Sequence, residues 1–249
     1  MNSKRSTEIG FKAQVKLEWL DYVSSLVSSG YDIHTIEGLL HDQLREKLSV
    51  GSNAKNGSRA RTISTLKRIW VKAPDEVESL RKNGLKLLDQ LSRKEHLILH
   101  WGMSIAAYPF VGMVAMSVGR LLKLQGRASA SQVQRRLKER YGDRETVDRA
   151  TRHIIRNFVE WGVLLDGDNP GVYEPAFKQN VTDPEIITWL IECILSMNED
   201  EKTPIRMAFD SPILFPFKIT SISSDVLGKY GNIQVIHHGL NEELIERKT

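Results

Sequence analysis

Residues 126–176, GRASASQVQRRLKERYGDRETVDRATRHIIRNFVEWGVLLDGDNPGVYEPA, read as two short helices followed by a polar hairpin. Wound at about 100° per residue, the second helix gathers Val147, Ala150, Ile154, Ile155, Phe158 and Trp161 into one apolar arc. Arg149, Arg152, His153 and Arg156 lie on the opposite face. The preceding helix, SQVQRRLKERYG, sets Val133 and Leu137 against the outward pair Arg135 and Arg136, and stops at Gly142. Gly162 closes the second helix. Beyond it Val163–Leu165 can pair with Val172–Tyr173 across DGDNPG, whose Asp, Asn, Pro and Gly suit a tight turn for steric reasons. The order helix, helix, hairpin outlines a winged helix-turn-helix with the hairpin as its wing. In such a fold the apolar arc fixes the helix to its domain while the arginine row meets phosphates or guanine edges. From Arg120 to Glu160 there are eleven Lys or Arg against five Asp or Glu, so this stretch suits a polyanion.

Working outward, charge is unevenly spread over the 249 residues. Residues 183–249 hold six basic and eleven acidic residues, which leaves 29 basic and 20 acidic in the remainder. A basic body suits nucleic acid, and the acidic tail suits either a shield for that surface or a protein contact. At 41% hydrophobic residues the chain has ample material for packed cores. Cys193 is the only cysteine and lies in the apolar run IITWLIECIL, which points to a core thiol and a reducing, cytoplasmic setting. MNSKRSTEIG has no apolar run behind its basic residues and does not read as a secretory signal. Residues 96–119 form a 24-residue uncharged stretch long enough to cross a bilayer. Its two histidines, its glycines and Pro109 favour instead two buried helices meeting near Ala107–Pro109.

Upstream, Phe11, Val15, Trp19, Tyr22, Val23 and Leu26 recur at helical steps and predict a helix from Gly10 to Ser29. A second helix starts after Asp32 and carries Ile33, Ile36, Leu40, Leu44 and Leu48 on one face. The loop SVGSNAKNGS leads into SRARTISTLKRIW, where Arg59, Arg61, Lys67 and Arg68 make a second candidate phosphate contact. Further helices are expected from Pro74, from Ser92 to Ala107, and from Pro109 to Leu124. Beyond Asp183 the pattern predicts a helix to Met197, an edge strand through Ile213, Phe215, Phe217 and Ile219, a strand over Asn232–His238, and a short helix over Asn241–Arg247. The fold expected is therefore mainly α. It comprises a multi-helix N-terminal block (1–108), the winged helix-turn-helix (109–178), and a small mixed α/β C-terminal appendage (179–249).

No catalytic signature is present. The chain lacks a phosphate-cradling glycine loop, a nucleophile elbow and paired carboxylates at suggestive spacing. His96 and His100, at i and i+4 with Glu95 beside them, could share a metal, but no further ligand is nominated and their apolar flanks favour interior histidines. Neither an enzyme, a metal site nor a cofactor is expected.

In GSRARTISTLKRIW, LILHWGMSIAAYPFVGM and DRATRHIIRNFVEWGVL, within residues 15–178, the chain resembles the BrxA family of small accessory proteins of bacterial BREX phage-defence systems. The resemblance implies a mostly helical, non-enzymatic, DNA-binding protein that works beside other defence subunits. Carried onto this chain, it places DNA contact at Arg59, Arg61, Lys67 and Arg68 and on the arginine face of the helix from Thr146 to Trp161. The residues by themselves point to the same positions, with Arg135, Arg136 and Asn169 of the wing in addition. Six to eight phosphate contacts give a log–log salt slope of about −5 to −7 on duplex DNA. A winged-helix transcriptional regulator is the alternative, and so is a protein–protein scaffold using the tail or the Phe215–Phe217 region as a docking surface.

Overall fold

The computed structural model describes residues 9–11, 13–49, 57–197, 202–238 and 242–248. Among these residues it is mainly helical, with 11 helices and several small sheets placed mostly in the C-terminal part. The N-terminal helices are α1 (Leu17–Ser28), α2 (Ile33–Gln43), α3 (Ser58–Leu66), α4 (Glu78–Leu88), α5 (His96–Ala107) and α6 (Pro109–Gln125). Asp32 caps α2 as its position suggests, accepting from the backbone N–H groups of His34 and Thr35. The polar loop over residues 50–56 lies outside the described residues. Past α3 the chain widens into one π-helical turn, Lys67–Val71, which delivers the Trp70 indole into the core.

The first helix begins later than expected. Phe11 and Val15 are buried as the periodicity requires, but residues 13–16 form a non-helical strap, and Lys16 has β geometry. Tertiary bonds replace helical ones there. The Val15 N–H donates to Asn157 Oδ1 at 2.9 Å, Asn157 Nδ2 donates to the Ala13 carbonyl at 2.9 Å, and Trp161 Nε1 donates to the Val15 carbonyl at 2.7 Å.

Among the described residues no single helix is long and apolar enough to cross a membrane. The uncharged stretch breaks at Tyr108, where α5 and α6 bend through 117°. Pro109 sits at the first turn of α6, where its missing N–H is tolerated. Both helices are buried along most of their length, with Trp101, Met103, Phe110 and Val114 wholly enclosed.

Next come β1 (Ala128–Ser129), α7 (Ala130–Tyr141), α8 (Glu145–Glu160), β2 (Leu164–Asp166) and β3 (Val172–Pro175). Gly142 ends α7 at φ +87°, a conformation that suits glycine, and only two residues separate it from α8. The three strands form an antiparallel sheet in the order β1-β3-β2. The hairpin pairs Leu164 with Pro175, Leu165 with Glu174 and Asp166 with Tyr173, so its strands reach further along Val172–Pro175 than the expected Val172–Tyr173. All six residues of the apolar arc on α8 are at most 4% exposed, which confirms its amphipathic reading.

The C-terminal part holds β4 (Gln179–Val181), α9 (Pro184–Leu195), β5 (Thr203–Pro204), α10 (Ile205–Phe209), β6 (Phe217–Ile219), α11 (Ser224–Tyr230), β7 (Ile233–His238) and β8 (Glu242–Arg247). Two expectations fail here. The final helix is instead strand β8, because Leu244 and Ile245 complete a ladder with β7 and Ile245 is fully buried. The expected edge strand over residues 213–219 shrinks to β6, which pairs in parallel with β4, and a 3₁₀ turn at Pro212–Leu214 drives Ile213, Leu214 and Phe215 inward. Phe215 and Phe217 therefore do not form an exposed docking surface. Their rings pack on Trp101 at centroid distances of 5.4 and 6.1 Å. One continuous core runs through all three stretches of the chain, with Trp101 also stacked against Phe158 of α8 at 4.7 Å.

Candidate nucleic-acid interface

Helix α8 presents Arg149, Arg152, His153 and Arg156 to solvent, opposite its buried arc. Arg152 makes no hydrogen bond or ion pair with another described residue. Arg149 pairs with Glu145 one turn earlier. Arg156 reaches across to Asp166 on β2, 2.8 Å away, so the helix and the hairpin are joined at that point. Such exposed pairs hold weakly and yield to a competing anion.

The basic segment around α3 divides. Arg61 alone of its four cations is exposed. Burial, followed by the charges of Arg61, Arg149 and Arg152, holds the His153 imidazole below its ordinary proton affinity. The charges of Arg61 on α3 and of Arg149 and Arg152 on α8 all bear on this one histidine. Thr62, beside Arg61, donates its hydroxyl to the Gln14 carbonyl at 2.9 Å, so the strap that grips α8 also grips α3.

Arg59, Lys67 and Arg68 have other employment. Arg59 donates to the carbonyls of Arg45 and Leu48, at 2.9 and 3.0 Å, and so closes the chain that follows α2. Lys67 pairs with Glu37. Arg68 donates to the Ala107 carbonyl at 3.2 Å and lies 4.9 Å over the Tyr108 ring, which fixes the end of α5. Lys67 and Arg68 also line a groove of about 710 Å³ with Glu37, His41 and Lys72. On α7, Arg135 is exposed and Arg136 half-buried. Asn169 is exposed at the tip of the β2–β3 hairpin, but that tip carries Asp166 and Asp168 and no cation. A phosphate contact there would fall to backbone N–H groups and the Asn169 amide.

The histidine pair of α5 meets a partner that the sequence does not suggest. Asp21 Oδ1 lies 2.6 Å from His96 Nδ1 and 3.0 Å from His100 Nε2. Glu95 turns away to the Ser92 N–H and hydroxyl. The donor atoms of Asp21, His96 and His100 lie within 4.8 Å of one another, the spacing of a metal site. The Trp70 indole decides against that chemistry. Its Nε1–H donates to His100 Nδ1 at 3.1 Å, so the proton of neutral His100 resides on Nε2 and is donated to Asp21. The nitrogen facing the cluster therefore has no lone pair for a metal. Desolvation raises the proton affinity of Asp21, but the hydrogen bonds from His100 and His96 outweigh it and hold the carboxyl below its usual range. Burial pushes His100 down.

Cys193 is fully buried, and burial drives its thiol well above the ordinary range, which leaves no thiolate for nucleophilic work. Comparison with protein-family models, with curated proteins and with solved structures returns no match in any of the three.

Proposed function

We propose that this chain is a non-enzymatic DNA-binding protein whose residues 109–178 form a winged helix-turn-helix, with α8 as the recognition helix. The element order α6, β1, α7, α8, β2, β3, with the sheet order β1-β3-β2, supports that assignment. The observation that carries the function is the solvent-facing row of Arg149, Arg152 and Arg156 on α8, opposite its fully buried apolar arc, with Arg61 of α3 near enough for its charge to act on His153. Like charges held together in the free protein repel, and a phosphate backbone relieves the repulsion while releasing its own counterions. Arg156 joins when phosphate displaces Asp166, and Arg135 and Arg136 extend the basic face along α7. The further reading, an accessory role in phage exclusion beside other defence subunits, rests on the resemblance of the three motifs to the BrxA family.

Six arginines give a log–log salt slope of about −5 on duplex DNA. The test is fluorescence anisotropy of a labelled duplex across a salt series, with the full chain and its Arg149→Glu/Arg152→Glu/Arg156→Glu variant. Three lost contacts reduce the slope to about −3 and weaken binding at every salt concentration. A flat response from the folded wild type sinks the reading.

A further inference from the structure

The C-terminal sheet runs β5-β8-β7, so β7 is an outer strand that pairs with β8 along one side. Alternate residues of an antiparallel strand turn both backbone groups away from the ladder. No backbone N–H or carbonyl of residues 233–237 bonds to a described residue outside β8. Ile233, Val235 and His237 share one face of the sheet with their β8 partners Arg247, Ile245 and Glu243. On that face Ile233 and Ile245 are buried, Arg247 donates to Glu192 of α9, and Ser224 of α11 donates to Glu243 at 2.9 Å. These contacts set α9 and α11 against the face of the sheet, reaching its inner strand, and none of them falls on the outer edge of β7.

Open edges are ordinarily blunted by charge, by proline or by shortness. The opposite edge of this sheet follows the rule, since β5 is two residues long and ends in Pro204. Strand β7 does not. Its sequence, IQVIHH, holds no Lys, Arg, Asp, Glu, Pro or Gly, whereas four of the six residues of the inner strand, EELIER, are charged. On the other face of the sheet Ile236 pairs with Leu244. Both are half-buried, and unlike Val235 neither packs against the core. An unprotected row of backbone groups flanked by an apolar pair is a template for a further strand.

We propose that β7 pairs with β7 of a second copy of this chain, antiparallel across a two-fold axis at Ile236, so that the two three-stranded sheets join into one of six strands. Such an axis stands normal to the sheet and keeps equivalent faces of the two copies on the same side. Leu244, Ile236 and their two counterparts then form one apolar strip across four strands. Val235 meets His237, and no Lys, Arg, Asp or Glu of β7 opposes its own counterpart. This self-match selects the occupant. A foreign strand is chosen by charges or side-chain pockets along an edge, and β7 has no charged residue to choose with, whereas a second copy brings the same isoleucine to the same place. A ladder of this length is a small interface, so the dimer forms as concentration rises and separates on dilution.

Sedimentation equilibrium of the full chain over about 5–500 μM, without nucleic acid, tests the proposal. A monomer–dimer equilibrium is expected. Hydrogen exchange at both ends of that range is expected to show added protection at the β7 amides that point away from β8, and no change at those already in the ladder. Ile236→Lys sets two ammonium groups together at the axis and removes the apolar strip, which weakens the dimer about 30- to 100-fold. The exchange pattern of the wild type needs no variant and decides the matter even where Ile236→Lys does not fold. A monomer at every concentration overturns the proposal, as does a dimer that adds no protection in β7 or that the folded Ile236→Lys variant keeps at wild-type strength. A chain that stays monomeric while peptides selected from a random library protect the same amides overturns it too, because the occupant is then a foreign strand. Nucleic acid plays no part in any arm, so the DNA-binding reading stands or falls separately.

Discussion

Replacing Asn157 by leucine tests whether the strap is part of the machinery that holds α8. The amide lies 2% exposed and makes both of its buried bonds to backbone, one to the Val15 N–H and one to the Ala13 carbonyl. Leucine fills the same volume and satisfies neither. A buried donor or acceptor stripped of its partner costs about 1–3 kcal/mol, so the two together cost about 2–6 kcal/mol if the strap stays in place. Peeling the strap off would rescue both groups, but it exposes Phe11 and Val15, 2% and 0% exposed, at about 3–6 kcal/mol. It also breaks the bond from Trp161 to the Val15 carbonyl. With that bond added to the cost of peeling, staying docked and unsatisfied is the cheaper response, and the expected loss is about 2–6 kcal/mol of global stability. Urea unfolding reads this as a lower midpoint with an unchanged slope, and hydrogen exchange reads it as faster exchange at the Val15 amide. A loss under about 0.5 kcal/mol with the Val15 amide still protected would falsify the account of the strap.

The remaining expectations concern protons and packing. His153 is held below its ordinary proton affinity in the free protein, and a phosphate beside it restores that affinity, so binding takes up a proton. Duplex affinity should rise as pH falls from about 7.5 to 5.5, and His153→Gln should remove the rise. An equal gain in the variant would place the responsible group elsewhere. His100 and Asp21 are both depressed in the folded state, so each contributes stability above its unfolded value and loses it as pH falls through its folded one. Urea midpoints should therefore decline from about pH 6.5 downward for His100 and again below about pH 4 for Asp21. In His100→Gln the first decline should shrink, and an unchanged profile refutes the assignment. Gly119→Ala drives a Cβ into the Pro212 carbonyl oxygen, a backbone clash that no rotamer relieves. A stability loss of about 1–3 kcal/mol in thermal unfolding is expected, and a neutral result would mean that α6 and the Pro212–Leu214 turn can separate freely.

Local periodicity made α8 legible. Val147, Ala150, Ile154, Ile155, Phe158 and Trp161 fall on one face at helical spacing, and all are buried; the arginines fall opposite, and all are exposed. Elements defined by distant partners were not legible. Strand β1 is two residues, Ala128–Ser129, with no pattern of its own, and it exists because β3 supplies a ladder. The tail segment EELIER reads as helix on propensity, yet β7 pairs with it along six residues. Asp21 lies 75 residues from His96, so no spacing rule joins them. Arg59 and Arg61 look alike in sequence, and only the carbonyls of Arg45 and Leu48 separate a structural cation from an exposed one.

That separation changes what the interface is. Sequence puts DNA contact on two independent basic segments, whereas the structure brings Arg61 to α8 and ties both helices with one strap through Thr62, Asn157 and Trp161. The back of α8 rests on Trp101, Phe215 and Phe11, contributed by all three stretches of the chain. A fragment of residues 109–178 would leave Phe158 and Trp161 facing water, so the arginine face owes its position to the whole molecule. Guanidinium groups spaced by a shared core keep their geometry when the solvent changes, whereas groups on two tethered helices would spread to relieve repulsion. Rigid placement of like charges raises the energy of the free protein locally. Under the proposed function, a phosphate backbone bound across α8 is what would relieve it.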